Sequence, residues 1–134
     1  MMTAYATAQY QEMQVQTSPE RLVVMAYDGA LRFLNLGLDA MRRGDRAAQG
    51  VNLGKAQRII VELSNTLDMR AGEIALQLDR VYRYLLTRLL QANADDQPEP
   101  VEEVIGLMSG LRESWAQAEQ QLRTAEPLLA GAAR

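Results

Sequence analysis

Residues 101–122, VEEVIGLMSGLRESWAQAEQQL, decide the fold. Val104, Met108, Leu111, Trp115, Ala118 and Leu122 recur alternately four and three apart, which puts all of them on one stripe of an α-helix. A stripe with that spacing is the seam by which a helix packs into a bundle. The helix is expected to start near Val101 and to end before Pro127, leaving residues 127–134 as a frayed C-terminal tail.

Reading outward, Ala94-Asp95-Asp96-Gln97-Pro98-Glu99-Pro100 is a polar loop broken by two prolines. Before it, a helix from about Glu73 to Asn93 puts Ile74, Leu78, Val81, Tyr82, Leu85 and Leu89 on one face, after a break at Gly72. A helix from about Arg46 to Asp68 carries Ala56, Ile59, Ile60, Leu63 and Leu67 three and four apart. Gly50 and Gly54 near its start cost roughly 1 kcal/mol each relative to alanine, and a close helix crossing is the expected reason. Ser18-Pro19-Glu20 starts the first helix: serine caps the free N–H groups, proline suits the first turn and glutamate complements the dipole. That helix runs to about Arg43, where Gly44 stops it and Asp45 caps the next. Residues 1–17 are polar, with isolated Tyr5, Tyr10, Met13 and Val15, and read as a flexible tail with hydrophobic handles. The expected fold is all-α: an antiparallel four-helix bundle over 18–126 with tails at 1–17 and 127–134.

Composition narrows the function. The chain has 134 residues, enough for one domain, and 48% of them are hydrophobic, enough for a real core. It contains no histidine and no cysteine, which removes Ser-His-Asp and Cys-His machinery, thiolate or imidazole zinc sites and Glu-x-x-His di-iron bundles. Fourteen basic against 17 acidic side chains give a net charge of −3, with arginines scattered rather than clustered, so no nucleic-acid partner is expected. The longest unbroken apolar run is Leu22 to Tyr27, too short for membrane insertion, and the first twenty residues lack the Lys or Arg of a signal peptide. A soluble, cytoplasmic protein is the expectation. Glu102-Glu103 and Asp95-Asp96 are adjacent rather than facing carboxylates and read as surface charge. Arg42-Arg43-Arg46 lies at a helix C-terminus, where basic residues are ordinary dipole partners. There is no Gly-rich phosphate loop. No catalytic residue, metal site or cofactor is expected, and the chain does not read as an enzyme.

The first helix is richer in apolar residues than the roughly three positions per heptad that a bundle needs. Leu22, Val23, Val24, Met25, Ala26, Tyr27, Ala30, Leu31, Phe33, Leu34, Leu36, Leu38 and Met41 are expected to spread right round its axis. Leu76, Leu86 and Leu90 add a second stripe to the third helix, and Leu53 and Val61 lie off the main stripe of the second. Wide core faces with scattered exposed leucines would explain these residues. An apolar groove outside the core, binding an amphipathic partner segment, would explain them too. The tail, with Tyr5, Tyr10, Met13 and Val15, suits a cover for such a groove.

The chain resembles the flagellar secretion chaperone family FliS from about Tyr10 to Ala118. The resemblance is carried by Tyr10, Val15-Gln16-Thr17-Ser18-Pro19, Met25-Ala26-Tyr27-Asp28-Gly29-Ala30 and Arg32-Phe33-Leu34. It continues through Asn52, Lys55-Ala56-Gln57-Arg58-Ile59-Ile60, Gly72-Glu73-Ile74-Ala75, Tyr82, Arg88-Leu89 and Leu111-Arg112-Glu113-Ser114-Trp115. Each piece is short, and their order and spacing together are specific. Ala26, Ala71, Gln77 and Arg83 depart from the family's usual residues, which bears on partner preference more than on fold.

The resemblance implies a cytoplasmic, non-catalytic export chaperone. It would bind the disordered C-terminal segment of flagellin, prevent premature polymerisation and deliver the cargo to the flagellar type III export gate protein FlhA. By the family's motifs, Asn52, Ala56, Ile60, Leu63, Leu67, Tyr82 and Leu86 are the candidate cargo groove, Tyr10 belongs to a displaceable tail, and Trp115 is read as core. Two alternatives stay open: a helical adaptor that sequesters another regulator such as an anti-sigma factor, and a homodimer whose interface uses the extra apolar stripes.

Overall fold

A computed structural model describes residues 18–132, with side chains as far as Ala125. The N-terminal tail expected over 1–17, and Tyr10 within it, lie outside the described residues. Four helices form: α1 Pro19–Arg43, α2 Arg46–Asn65, α3 Glu73–Asp95 and α4 Pro98–Ala132, with a 3-10 turn, Met69–Ala71, between α2 and α3. No strand occurs among the described residues. Each helix packs on its sequence neighbours and α4 packs back on α1, so the four make an antiparallel bundle with α1 diagonal to α3. Buried in the centre are Tyr27, Leu34 and Met41 of α1, Leu53 and Ile60 of α2, Leu85 and Leu89 of α3, and Val101, Val104 and Met108 of α4.

The helix starts follow the local chemistry. Ser18 Oγ accepts from the Arg21 backbone N–H at 3.1 Å and opens α1. Gly44, at φ +74°, takes the left-handed turn that ends α1, and Asp45 accepts from Ala48 N–H at 3.1 Å to open α2. α2 ends at Asn65 rather than Asp68, because the Thr66 hydroxyl donates to the Leu63 carbonyl at 2.8 Å and Asp68 caps the 3-10 turn through Arg70 N–H at 3.0 Å.

Five expectations need correction. The loop expected over 94–100 shrinks to Asp96-Gln97, because Pro98 and Pro100 both sit in the first turn of α4. N–H groups there have no partner within the helix, so the two prolines open α4 rather than break it. At its other end α4 continues through Pro127 to Ala132 instead of stopping before the proline. Pro127 forfeits one backbone bond, and the flanking Ala125, Leu128, Leu129 and Ala130 are strong enough helix formers to carry the helix on. Gly50 and Gly54 do not mark a crossing: a Cβ on either would meet nothing within 4 Å. The close approach is at Gly37 of α1, where a Cβ would lie 2.6 Å from Leu53 Cδ2 and 2.8 Å from its Cγ. Leu53, expected off the main stripe, is accordingly buried in the core, whereas Ile74, expected in the core, is 69% exposed.

The two ends of the bundle differ. At the end holding the α1–α2 and α3–α4 turns, buried Gln49 donates from Nε2 to Asn93 Oδ1 and Asp96 Oδ1, each at 3.0 Å. Arg46 pairs with Asp96, Arg42 with Glu102, and Arg43 with Asp39 at 3.1 Å. The arginine cluster is thus occupied by carboxylates, and these polar ties close that end.

Candidate functional site

The opposite end is open. There the interior widens into an apolar cleft of about 820 Å³, lined by the first half of α1, the last half of α2, the 3-10 turn, the first half of α3 and Trp115 of α4. Along α1 the helical spacing turns Leu22, Met25, Ala26 and Gly29 to the cleft and Val24, Tyr27 and Ala30 to the core. α1 is not apolar right round, because Arg21, Asp28, Arg32, Asp39 and Arg42 share one exposed side, but the apolar arc that remains is wide and serves two apolar surfaces. From α2 come Ile59 and Leu63, with Arg58 and Glu62 among the polar lining residues, and the turn that follows α2 adds Leu67 and Asp68. The turn at Gly72, φ +76°, brings the chain into α3, which contributes Ile74, Ala75, Leu78 and Tyr82.

Large apolar side chains are left in water here. Leu22 is 44% and Met25 48% exposed, beside Ile74 across the cleft. Contiguous exposed apolar surface of this kind is uncommon on a protein that works alone.

Two tyrosines lie at the base. Tyr27 Oη and Tyr82 Oη are 2.5 Å apart and both rings are buried, yet only Tyr82 borders the cleft. Burial first, and then the hydrogen bond to Tyr82, push the Tyr27 phenol far above its ordinary value, with the Trp115 indole N–H acting in the opposite direction. Burial likewise raises Tyr82, partly offset by its bond to Tyr27. Both stay neutral at physiological pH.

Of the candidate groove residues, the structure brings Leu63, Leu67 and Tyr82 together in the cleft. Ala56 and Ile60 are fully buried in the core. Asn52 is half-buried outside the cleft, its Nδ2 donating to the Ala48 carbonyl at 2.9 Å, and Leu86 packs against the core elsewhere on α3. Trp115 is half-buried and lines the cleft as well as touching the core. Leu22, Met25, Ile59 and Leu78 join the cleft without having been singled out for it. The excess apolar residues of α1 were the signal for the first two.

The carboxylate pairs do not converge. Asp96 is held by Gln49 and Arg46, and Glu103 accepts from Tyr84 Oη at 2.6 Å and Arg88 Nε at 3.0 Å. Those two donors hold the Glu103 carboxyl below its usual range, the tyrosine foremost. No group of acidic residues suited to a metal ion occurs among the described residues, and no helix there is long and apolar enough to cross a membrane.

Fold and cleft define a helical bundle with a large apolar receptor surface at one end. The profile of the family described as Flagellar protein FliS matches residues 1–122. The flagellar secretion chaperone FliS of Salmonella typhimurium is 39% identical over 116 residues, 85% of this chain and 86% of that protein. The Bacillus subtilis flagellar secretion chaperone FliS is 37% identical over 115 residues, with 85% and 86% covered. FliSB of Pseudomonas aeruginosa is 33% identical over 121 residues, with 86% and 96% covered. The chain belongs to the FliS family of flagellar secretion chaperones.

Proposed function

We propose that this chain is a cytoplasmic export chaperone that holds the disordered C-terminal segment of flagellin in the cleft. It thereby prevents premature polymerisation and delivers the segment to the flagellar type III export gate, through FlhA, without catalysing a reaction. The observation that supports this most is the open apolar cleft of about 820 Å³, in a chain whose relatives are flagellar secretion chaperones.

The physics of such cargo fits the cleft. A segment that orders on binding loses conformational entropy, so it must bury a large apolar area in return. Leu63, Leu67 and Tyr82 meet the segment directly, joined by Leu22, Met25 and Ile74, while Ala56 and Ile60 support the wall from behind. Asn52 and Leu86 serve a segment that continues along the bundle beyond the cleft. Residues 1–17, Tyr10 among them, cover the cleft when cargo is absent: they lead directly to Ser18 and to Pro19, itself a lining residue.

Calorimetric titration with the C-terminal segment of the organism's own flagellin tests this reading. It predicts a one-to-one complex with a large negative heat-capacity change, the mark of apolar burial. A well-folded chaperone that does not bind the segment, or that binds an anti-sigma factor in its place, would contradict it.

A further inference from the structure

Three charged side chains line the cleft: Arg58, Glu62 and Asp68. Asp68 is taken, because Arg70 Nε and Nη2 donate to its carboxylate at 3.0 and 3.2 Å. Arg58 and Glu62 are exposed, and among the described residues neither side chain makes an ion pair or a hydrogen bond. They stand four residues apart on α2, a spacing at which opposite charges ordinarily meet. Three such pairs do meet: Asp39 with Arg43, Asp79 with Arg83 and Glu119 with Arg123. In each of them the acid precedes the base, which is the favoured order on a helix. Asp28 and Arg32 share that order, but Arg112 Nε holds Asp28 at 2.9 Å. Arg58 and Glu62 run base first, the weaker order, and stay apart. Ile59 and Leu63, beside them on α2, belong to the apolar lining. The cleft wall therefore carries a free cation and a free anion, about 6 Å apart along the helix axis, next to the apolar strip.

We infer that Arg58 and Glu62 are specificity-determining residues that set the register of the segment held in the cleft. Arg58 takes a carboxylate of the segment, and Glu62 takes a basic side chain lying about one helical turn from that carboxylate. The inference rests on the flagellin reading and adds a charge pattern to it. Apolar burial is non-directional, so by itself it does not decide where along α2 an amphipathic segment stops or which way it runs. A cation and an anion in fixed order decide both. A segment that is reversed meets like charge at the two positions, and one that slips by a turn leaves a charge unpaired.

The test is a calorimetric titration with the flagellin C-terminal segment at low and high salt, using the full-length chain and three variants, with circular dichroism confirming their fold. Arg58→Glu/Glu62→Arg exchanges the two charges at constant net charge and puts the acid first, so the helix loses nothing by it. Arg58→Glu reverses one charge in the cleft. Lys55→Glu makes the same change of net charge on the same helix outside the cleft, where Lys55 Nζ lies 5.2 Å from the centroid of the Phe33 ring. The expected result is binding weakened roughly fivefold in Arg58→Glu, weakened further in the exchange variant and little changed in Lys55→Glu, with the losses shrinking as salt rises. Segments in which an acidic and a basic residue one helical turn apart are exchanged complete the test: one of them should bind the exchange variant as tightly as the natural segment binds the wild type. Wild-type affinity in the exchange variant, equal losses in Arg58→Glu and Lys55→Glu, or no exchanged segment that restores binding would overturn the inference and leave the flagellin reading standing. Failure of the wild type to bind would overturn both.

Discussion

Tyr27 and Tyr82 join α1 to α3 through their hydroxyls, 2.5 Å apart, across the diagonal of the bundle. The bond sits where the sealed core gives way to the open cleft. It ties together two elements that line the cleft and lets the interior be apolar on both sides of one polar link.

Loss of this link from either side should destabilise the fold. Tyr82→Phe leaves the Tyr27 hydroxyl buried without a partner, and Tyr27→Phe does the same to the Tyr82 hydroxyl, so each should cost about 1–3 kcal/mol. The double phenylalanine variant should recover part of either loss. Urea denaturation of the three variants, with a common m-value, measures all of this.

The same pair predicts an alkaline limit. The folded-state pKa values of Tyr27 and Tyr82 lie above the ordinary 10.0. The stability the pair contributes is therefore fully present below about pH 10 and falls as pH rises further, because the unfolded chain then releases protons that the folded chain retains. Denaturation midpoints measured from pH 8 upward should be level at first and then decline, and the decline should be shallower in Tyr27→Phe.

Glycines on the two neighbouring helices should respond in opposite directions. Gly37→Ala drives a Cβ to 2.6 Å from Leu53 Cδ2, so it should destabilise by about 1–3 kcal/mol as α1 and α2 are forced apart. Gly50→Ala and Gly54→Ala meet nothing within 4 Å and should stabilise by about 0.5–1 kcal/mol each through helix propensity. Thermal and urea unfolding distinguish the two signs.

Substitutions on the exposed lining should separate binding from folding. Met25→Glu and Ile74→Glu place a charge on apolar surface that is already in water, so helicity should hold while affinity for the flagellin segment falls at least tenfold. Leu90→Glu, on an exposed part of α3 outside the cleft, should cost much less. Comparable losses in all three would place the main contact elsewhere on the bundle.

Much of this architecture is written in local signals. Ser18-Pro19-Glu20 and Gly44-Asp45 each act within a few residues and appear where the local chemistry puts them, and the four-three spacing of α4 forms a seam from Val104 to Trp115, whereas Leu122 at its far end is 52% exposed. The misreadings share a cause. Whether Pro98 and Pro100 break a helix or open one depends on where the first turn falls, and whether a glycine marks a crossing depends on what stands opposite. Gly37 has Leu53 there, while Gly50 and Gly54 have open space.

The cleft was legible only as a surplus. The extra apolar residues of α1 showed that more than one surface had to be served, but the helical pattern does not say where a core ends. Ala56, Ile60 and Leu63 share a stripe with Leu67, and the stripe passes from buried core to open cleft between Ile60 and Leu67. That change depends on what the neighbouring helices place opposite each residue, which no single helix encodes.

Trp115 is the sole tryptophan of the chain and lines the cleft, so its emission tests most directly whether cargo sits there. On titration with a C-terminal segment of flagellin prepared without tryptophan, the account predicts a saturable blue shift that ends at one equivalent, as the segment excludes water from the half-buried indole. Binding that registers by calorimetry while the Trp115 emission stays unchanged would contradict the claim that the cleft holds the cargo.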